Sequence, residues 1–438
     1  MKNLKKVLAV VMAIALIVTC FAACGDNKTD EPDVKAVKAA LICLHGDSST
    51  YDKNFIDAFK QACANKGLTA DDYTIVTDIP EGTACYDQAA DLAETYDLIF
   101  ADSFGHEPYM IQAAKEFPEV EFCHATGTKA HTEKLANYHN AFASIYEGRY
   151  LAGVAAGMKL VELYGDENGK VSDENAKIGY VGAFPYAEVI SGYTSFYLGA
   201  KSVVENATME VRYTNSWYDE TAEKTTALAL IDNGCKLISQ HADSWGAPTA
   251  CEERNVPNVS YNGSTVEKCP NTFIIASRIN WTPYFEYIID CVQNDKAIDT
   301  DWTGSIETGS VEITALGTAA AKGTQEKLDT VMAGLKDGSI KVFDCSTFTV
   351  TVDPAVKDSF GNVINASAII DGKKGTETTE KISGHLTGFV ADVDDAGDYI
   401  PETEVVEKSG DITFVNESGK RSAPYFNLII DGITAITE

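Results

Sequence analysis

At 438 residues the chain exceeds what one hydrophobic core comfortably serves, so two domains or lobes are expected. Its 45% hydrophobic and 23% charged content is ordinary for a folded protein. Its formal charge of −30 is not, and a field that negative repels phosphates, which makes nucleic acids and nucleotides poor candidates for partners.

Residues 1–23 read as an export signal: Lys2, Lys5 and Lys6 precede an apolar run from Val7 to Phe21 that is too short for a comfortable membrane span. The following FAAC, ending at Cys24, resembles the bacterial lipobox, whose cysteine is acylated, although Phe21 stands where leucine is usual. That resemblance implies lipidation at Cys24 and anchoring to the extracytoplasmic face of a cell membrane. Residues 24–36 are polar and without periodicity, the composition of a flexible tether.

The next stretch, KAALICLHGDSSTYDKNF at 38–55, runs a hydrophobic strand into a polar turn and then a helix. In an open α/β sheet the carboxyl end of a strand is where ligands sit, so Tyr51, Asp52 and Asn54 are placed to line a pocket mouth. A flat ring beside acceptors and donors suits a planar, hydrogen-bonding molecule. The plainer reading is a surface turn in which Asp52 caps the helix.

Strands are then predicted at 73–78, 97–102 and 120–126, alternating with helices at about 53–65, 84–95 and 108–117, with a further extended segment at 137–144. Such alternation gives a parallel sheet covered on both faces. The longest helical pattern, 145–163, is rich in Gly and Ala and is expected to pack closely between two lobes. A second series follows, with strands at 177–183, 209–214, 236–240, 258–261 and 272–277 and helices near 187–203, 220–232 and 284–293. The expected organisation is lobe 1 at 37–143, to which a segment near 278–335 returns, and lobe 2 at 144–277. From about Phe343 the pattern turns to Thr/Val alternation with Asp-Gly turns, so 343–438 is expected to be a β-rich elaboration. Nine cysteines beyond Cys24 are scattered without C-x-x-C spacing and read as buried free thiols, with a disulfide or two as the alternative.

Six segments together resemble one family: YDKNFIDA at 51–58, FADSFGHE at 100–107, FASIYEGRYLAGVAAGMK at 142–159, IGYVGAFPYAEVISGYTSFYLGAK at 178–201, NSWYDETAEK at 215–224 and ISQHADS at 238–244. The chain resembles the basic membrane lipoprotein family of substrate-binding proteins, extracytoplasmic receptors of ABC importers for purine nucleosides and related bases. The resemblance implies a two-lobed α/β fold of the type I periplasmic-binding-protein kind, with parallel sheets and, here, a β-rich C-terminal extension. It implies a small-molecule ligand and, as partners, an ABC permease with its ATPase, but neither a cofactor nor an enzymatic activity.

Such receptors hold a purine between an aromatic from each lobe. Carried onto this sequence, the first is Tyr51, with Asp52 as its polar neighbour and Phe55 as the alternative ring, and the second is Phe184. Asp102 and Ser103 end a strand at the same rim, and His241 and Asp243 follow another. Where nucleoside binders tend to carry Asp in a G-V-D-type segment, this chain has SYNGS, with Asn262. Where they carry Lys in S-x-x-K it has SRIN, Ser277 to Asn280, followed by Trp281. Losing both charges that grip ribose favours a bare purine base over a nucleoside, with Trp281 closing the pocket. Nucleosides, other flat heterocycles such as a flavin, and a sensory or adhesive surface role are the alternatives. Duller roles stay open as well: Phe184 in the core, Asp102 as a cap, Trp281 packing at a helix start, and Trp217 and Asp219 as structural residues.

No phosphate-binding P-loop, G-x-S-x-G elbow or H-E-x-x-H pair is present, and His124, His131 and His139 suit no common zinc spacing and read as solvent-facing or satisfied loop residues.

Overall fold

The computed structural model describes residues 35–358, 361–389 and 405–436. The expected export signal, Cys24 and nearly all of the tether lie outside the described residues. Val37–Glu438 forms one compact unit, and Lys35 and Ala36 before it are exposed. Among the described residues no helix is long and apolar enough to cross a membrane.

The first sheet is wholly parallel and runs in the order β11-β5-β4-β3-β1-β2. Its strands are β1 (Ala39–Ile42), β2 (Tyr73–Val76), β3 (Leu98–Ala101), β4 (Glu121–Ala125), β5 (Tyr138–Ala143) and, from later in the chain, β11 (Asp301–Gly304). Four consecutive buried residues in β1 and again in β3 are what a strand covered on both faces requires. The covering helices are α1 (Thr50–Asn65), α2 (Thr83–Ala93) and α3 (Glu107–Glu116), with the single turn α4 (Ala130–Glu133). In α1, Ser49 caps the first turn by accepting from the Asp52 amide. Phe55, Ile56, Phe59, Ala62 and Cys63, at helical spacing, form its buried face.

The second sheet runs β12-β10-β9-β8-β6-β7-β20, parallel except for β12 on its edge. It contains β6 (Lys177–Gly182), β7 (Thr208–Tyr213), β8 (Leu237–His241), β9 (Asn258–Tyr261), β10 (Phe273–Ile279), β12 (Val311–Ile313) and, from the C-terminal part, β20 (Ile433–Ile436). The long helix α5 (Ile145–Tyr164) packs on α6 (Ala187–Lys201) within this lobe rather than between lobes. Glycine makes that approach feasible, since a Cβ at Gly153 would strike the Phe196 carbonyl and one at Gly199 the Tyr150 carbonyl. Arg149 of α5 is fully buried and faces no carboxylate; its guanidinium instead reaches Tyr180 Oη at 2.9 Å, Ser239 Oγ at 2.8 Å, Ser277 Oγ at 3.3 Å and the Ser260 carbonyl at 3.2 Å. One side chain thus ties together four strands, β6, β8, β9 and β10. The rest of this part comprises α7 (Glu220–Asp232), α8 (Gly246–Arg254) and α10 (Thr324–Lys336), whereas α9 (Thr282–Gln293) packs on α1 of the first lobe. Asp219 caps α7, accepting from the Ala222 amide at 2.9 Å.

The chain passes between the two sheets at Ser144, at Asn280–Trp281 and at 305–310. These crossings are bonded to one another and to the first sheet: Ser144 N donates to Gly304 O at 2.8 Å and Asn280 N to Ser310 O at 2.8 Å. The segment after β10 is shared between the lobes, since β11 joins the first sheet and β12 the second.

The C-terminal part is β-rich, with β13 (Val350–Val352), β14 (Ala368–Ile370), β15 (Lys373–Lys374), β16 (Ile382–Gly384), β17 (Leu386–Phe389), β18 (Val406–Ser409), β19 (Ile412–Val415) and β20 (Ile433–Ile436). It is fused to the lobes rather than appended to them. β20 lies parallel to β7 on the edge of the second sheet, while Ser422 N donates to Asp301 Oδ1 of β11 at 2.9 Å and Ser418 meets Ser144 at 3.3 Å. Its core is aromatic, with Phe426 stacked on Phe343 at 4.6 Å, and Phe343 in turn touches Tyr146 of α5 at 5.5 Å. All nine cysteines beyond Cys24 are buried free thiols.

Candidate functional site

The loops that leave the carboxyl ends of β1, β3 and β4 face those that leave β6, β7 and β8, where a doubly wound sheet places its ligand. Between them lies a narrow cavity whose empty space, open solvent at its mouth included, is about 370 Å³. Leu44, Tyr51, Asp52, Ser103, Phe104 and Thr126 line it from the first lobe, and Glu188, Trp217, His241 and Asp243 from the second.

The walls are held by local bonds. Tyr51 Oη donates to the Asp102 carbonyl at 2.8 Å, fixing the ring. Asp52 accepts from the His45 amide at 2.7 Å and Ser49 Oγ at 2.5 Å. Burial opposes ionisation of Asp52, but the His45 side chain, 3.5 Å away, together with Ser49 and the His45 amide outweighs it and holds the carboxyl below the usual range. Asp102 is fully buried behind Tyr51, and burial followed by the Asp52 charge pushes its carboxyl well up. Asp243 is also pushed well up, by burial and then by Asp52, Glu223 and Glu188. Burial keeps His241 below its ordinary value, hence neutral; its Nε2 lies 3.5 Å from Glu188 Oε1, and neither ring nitrogen completes a hydrogen bond. Thr126 sits at φ 66°, a conformation β-branched residues rarely adopt, and such strain concentrates at ligand sites.

Of the residues singled out from the sequence, Tyr51, Asp52, Ser103, His241 and Asp243 border the cavity, with Asp102 directly behind. The others do not, for stated reasons. Phe55 is fully buried and stacks on Trp281 at 4.4 Å, so both rings belong to the aromatic core of the first lobe with Phe100 and Tyr284. Asn54 donates its amide to the Ile279 carbonyl. Asn280 is a crossing residue, bonded to Gly309 O at 3.1 Å and capping α9 through the Thr282 amide. Asn262 stands one residue back, 3.4 Å from Asp243 Oδ1. Phe184 stacks on Tyr186 at 5.1 Å and meets Trp217 edge-on at 5.0 Å, and it is Trp217 that borders the cavity.

Phe104, Thr126, Glu188 and Trp217 were not assigned to the site from the sequence. For Glu188, in the first turn of a helix following a strand, the position itself was the available signal. His124 and His139 are strand residues rather than loop residues, buried and bonded to Ser103 O at 2.7 Å and Glu121 Oε2 at 2.8 Å. Among the described residues, Cys43, Asp52 and Asp102 are the group whose donor atoms come within 4.8 Å of one another. Burial holds the Cys43 thiol well above its usual value, and Asp52 is already spent on His45 and Ser49, so this trio is poorly suited to a cation.

The lobes touch across the mouth of the cavity. Thr50 N donates to Asp243 O at 3.0 Å and Trp245 Nε1 to Ser48 O at 3.2 Å. Phe104 and Tyr186 meet with ring centres 5.3 Å apart although they are 36% and 41% exposed, and His45 faces Tyr218 at 5.4 Å.

A family model described as "ABC transporter substrate-binding protein PnrA-like" matches residues 82–340. A putative ABC transporter glucose-binding protein, TsgA13, of Haloferax volcanii is 35% identical over 214 residues, 49% of this chain and 50% of that protein. A purine-binding protein of Brucella abortus is 36% identical over 188 residues, 43% of this chain and 49% of that protein. The chain thus spans about half the length of these curated relatives. Among solved structures, an ABC transporter solute-binding protein of Aeropyrum pernix K1 superposes with a TM-score of 0.59 at 15% identity, covering 70% of this chain and 93% of that one, a likeness of fold.

Proposed function

The chain belongs to the PnrA-like family of ABC transporter substrate-binding proteins, and from that premise we propose that it is an extracytoplasmic receptor that captures a purine base and presents it to a membrane permease. Anchoring through a lipid on Cys24 is part of the proposal, as is the absence of catalysis. The observation that carries it is the cavity itself, closed between two lobes, with rings on both sides in Tyr51, Phe104 and Trp217. A ligand that touches both lobes shifts the balance toward the closed state, whereas one that touches a single lobe does not. A bare purine has about 10 non-hydrogen atoms, so micromolar affinity asks for about 0.8 kcal/mol per atom, below the ceiling of about 1.5. Trp217, backed by Phe184, supplies the second-lobe ring in this reading.

A second reading, a ligand with sugar hydroxyls such as a nucleoside, is favoured by the three lining carboxyl groups, which accept well from hydroxyls. The Haloferax relative named as glucose-binding supports it as well. Titration calorimetry with adenine, hypoxanthine, guanine, adenosine, inosine, glucose and riboflavin separates the readings: heat with free bases supports the first, heat with the sugar-bearing compounds alone supports the second, and silence throughout removes both.

A further inference from the structure

Asp52, Glu188 and Asp243 all line the cavity, and among the described residues no lysine or arginine does. Asp102 adds a fourth carboxyl group behind Tyr51, with Oδ2 left without a hydrogen bond. In the second lobe the nearest buried cation, Arg149, spends its guanidinium on Tyr180, Ser239, Ser277 and the Ser260 carbonyl. His241, neutral and with both ring nitrogens unpaired, stands beside Glu188. Buried polar groups without partners are rare in finished structures, and on this wall His241 presents two. Whatever their protonation, three carboxyl groups offer more acceptors than donors.

We infer that the second-lobe wall of the cavity, formed by Glu188, Asp243 and His241, reads a donor edge, so that the site takes a heterocycle bearing an exocyclic amino group and disfavours one presenting a carbonyl or a negative charge there. The inference rests on the purine reading above and narrows it. An N–H aimed at Glu188 meets an acceptor, and a neutral Asp243 still accepts through its carbonyl oxygen, whereas a carbonyl placed against Glu188 meets a lone pair and leaves the acid unsatisfied. Glu188 is the better placed of the two acids. It occupies the first turn of α6, where the helix N-terminus favours a negative charge, and its side chain is 10% exposed.

The test is calorimetric titration of the full mature chain with 2,6-diaminopurine, adenine, hypoxanthine and xanthine, repeated on Glu188→Gln and Asp243→Asn, with a melting curve of each variant to establish that it folds. The amino compounds are expected to bind at least tenfold more tightly than the oxo compounds, and Glu188→Gln to shrink that ratio below threefold. Equal or tighter binding of hypoxanthine or xanthine overturns the inference and leaves the purine reading standing, and so does a ratio that survives in both variants. Silence with all four compounds overturns the purine reading, and this inference falls with it.

Discussion

The backbone amide of Thr50 donates to the carbonyl oxygen of Asp243 at 3.0 Å, and the Thr50 hydroxyl reaches the same oxygen at 3.2 Å. Thr50 opens α1 in the first lobe and Asp243 follows β8 in the second, so this contact bridges the two lobes. Trp245 Nε1 repeats the arrangement on Ser48 O at 3.2 Å. A hydrogen bond of this kind is worth about 1 kcal/mol. Trp245→Phe keeps the ring and removes the donor, so it is expected to weaken ligand binding about fivefold through a less populated closed state. Calorimetry checks this; unchanged affinity would show that the latch does not contribute to closure.

The rings around the cavity differ in how directly they meet its contents. Trp217 and Phe104 line it, whereas Phe184 touches it through Trp217. Base stacking on an aromatic ring is worth about 1–3 kcal/mol. Trp217→Ala is therefore expected to lose at least tenfold in affinity and Phe184→Ala less, a ranking that calorimetry on the two variants reads directly. The reverse ranking would restore Phe184 as the second-lobe clamp.

Two buried carboxyl groups, Glu417 and Glu223, and two half-buried ones, Glu147 and Asp301, are pushed upward chiefly by desolvation: Glu417 to about 8, Glu147 and Glu223 to about 7, and Asp301 to about 6. Each is neutral in the fold at a pH where the unfolded chain is already ionised. Their contribution to stability is complete below the ordinary carboxylate range and fades as pH rises through these higher values. The melting temperature is expected to be higher at about pH 5 than at about pH 8. Glu417→Gln should flatten that slope, and an unaltered slope in the variant would assign the effect elsewhere.

The C-terminal extension shares its core with the lobes, through Phe426 on Phe343 at 4.6 Å and Phe343 on Tyr146 at 5.5 Å. Phe426 is fully buried, so Phe426→Ala is expected to cost about 3–5 kcal/mol. Because the extension also pairs β20 with β7 and bonds Ser422 to Asp301, that loss should lower one cooperative transition. A scan showing a separate early transition, with the lobes melting as before, would make the extension an independent domain.

The sequence by itself determined the succession of strands and helices. Continuous apolar runs such as 39–42 and 98–101, separated by amphipathic stretches, specify buried parallel strands and their covering helices through local periodicity alone. It also determined the family, because YEGRYLAGVAAG and its companion segments are long enough to be specific, and it pointed to the loops after β1, β3 and β8 as the pocket rim. It missed α8, whose hydrophobic pattern is weak, and α10, although Leu328, Val331 and Leu335 recur there at helical spacing. What only the tertiary structure decided was which side chains of those loops turn inward. Trp217 rather than Phe184 borders the cavity, Trp281 stacks in the core on Phe55, and Asn280 joins two chain crossings instead of meeting ligand. Loop side chains have no periodicity to fix their direction. Whether one faces a cleft depends on how two lobes meet, and that relationship is formed by residues some 190 positions apart, such as Thr50 and Asp243.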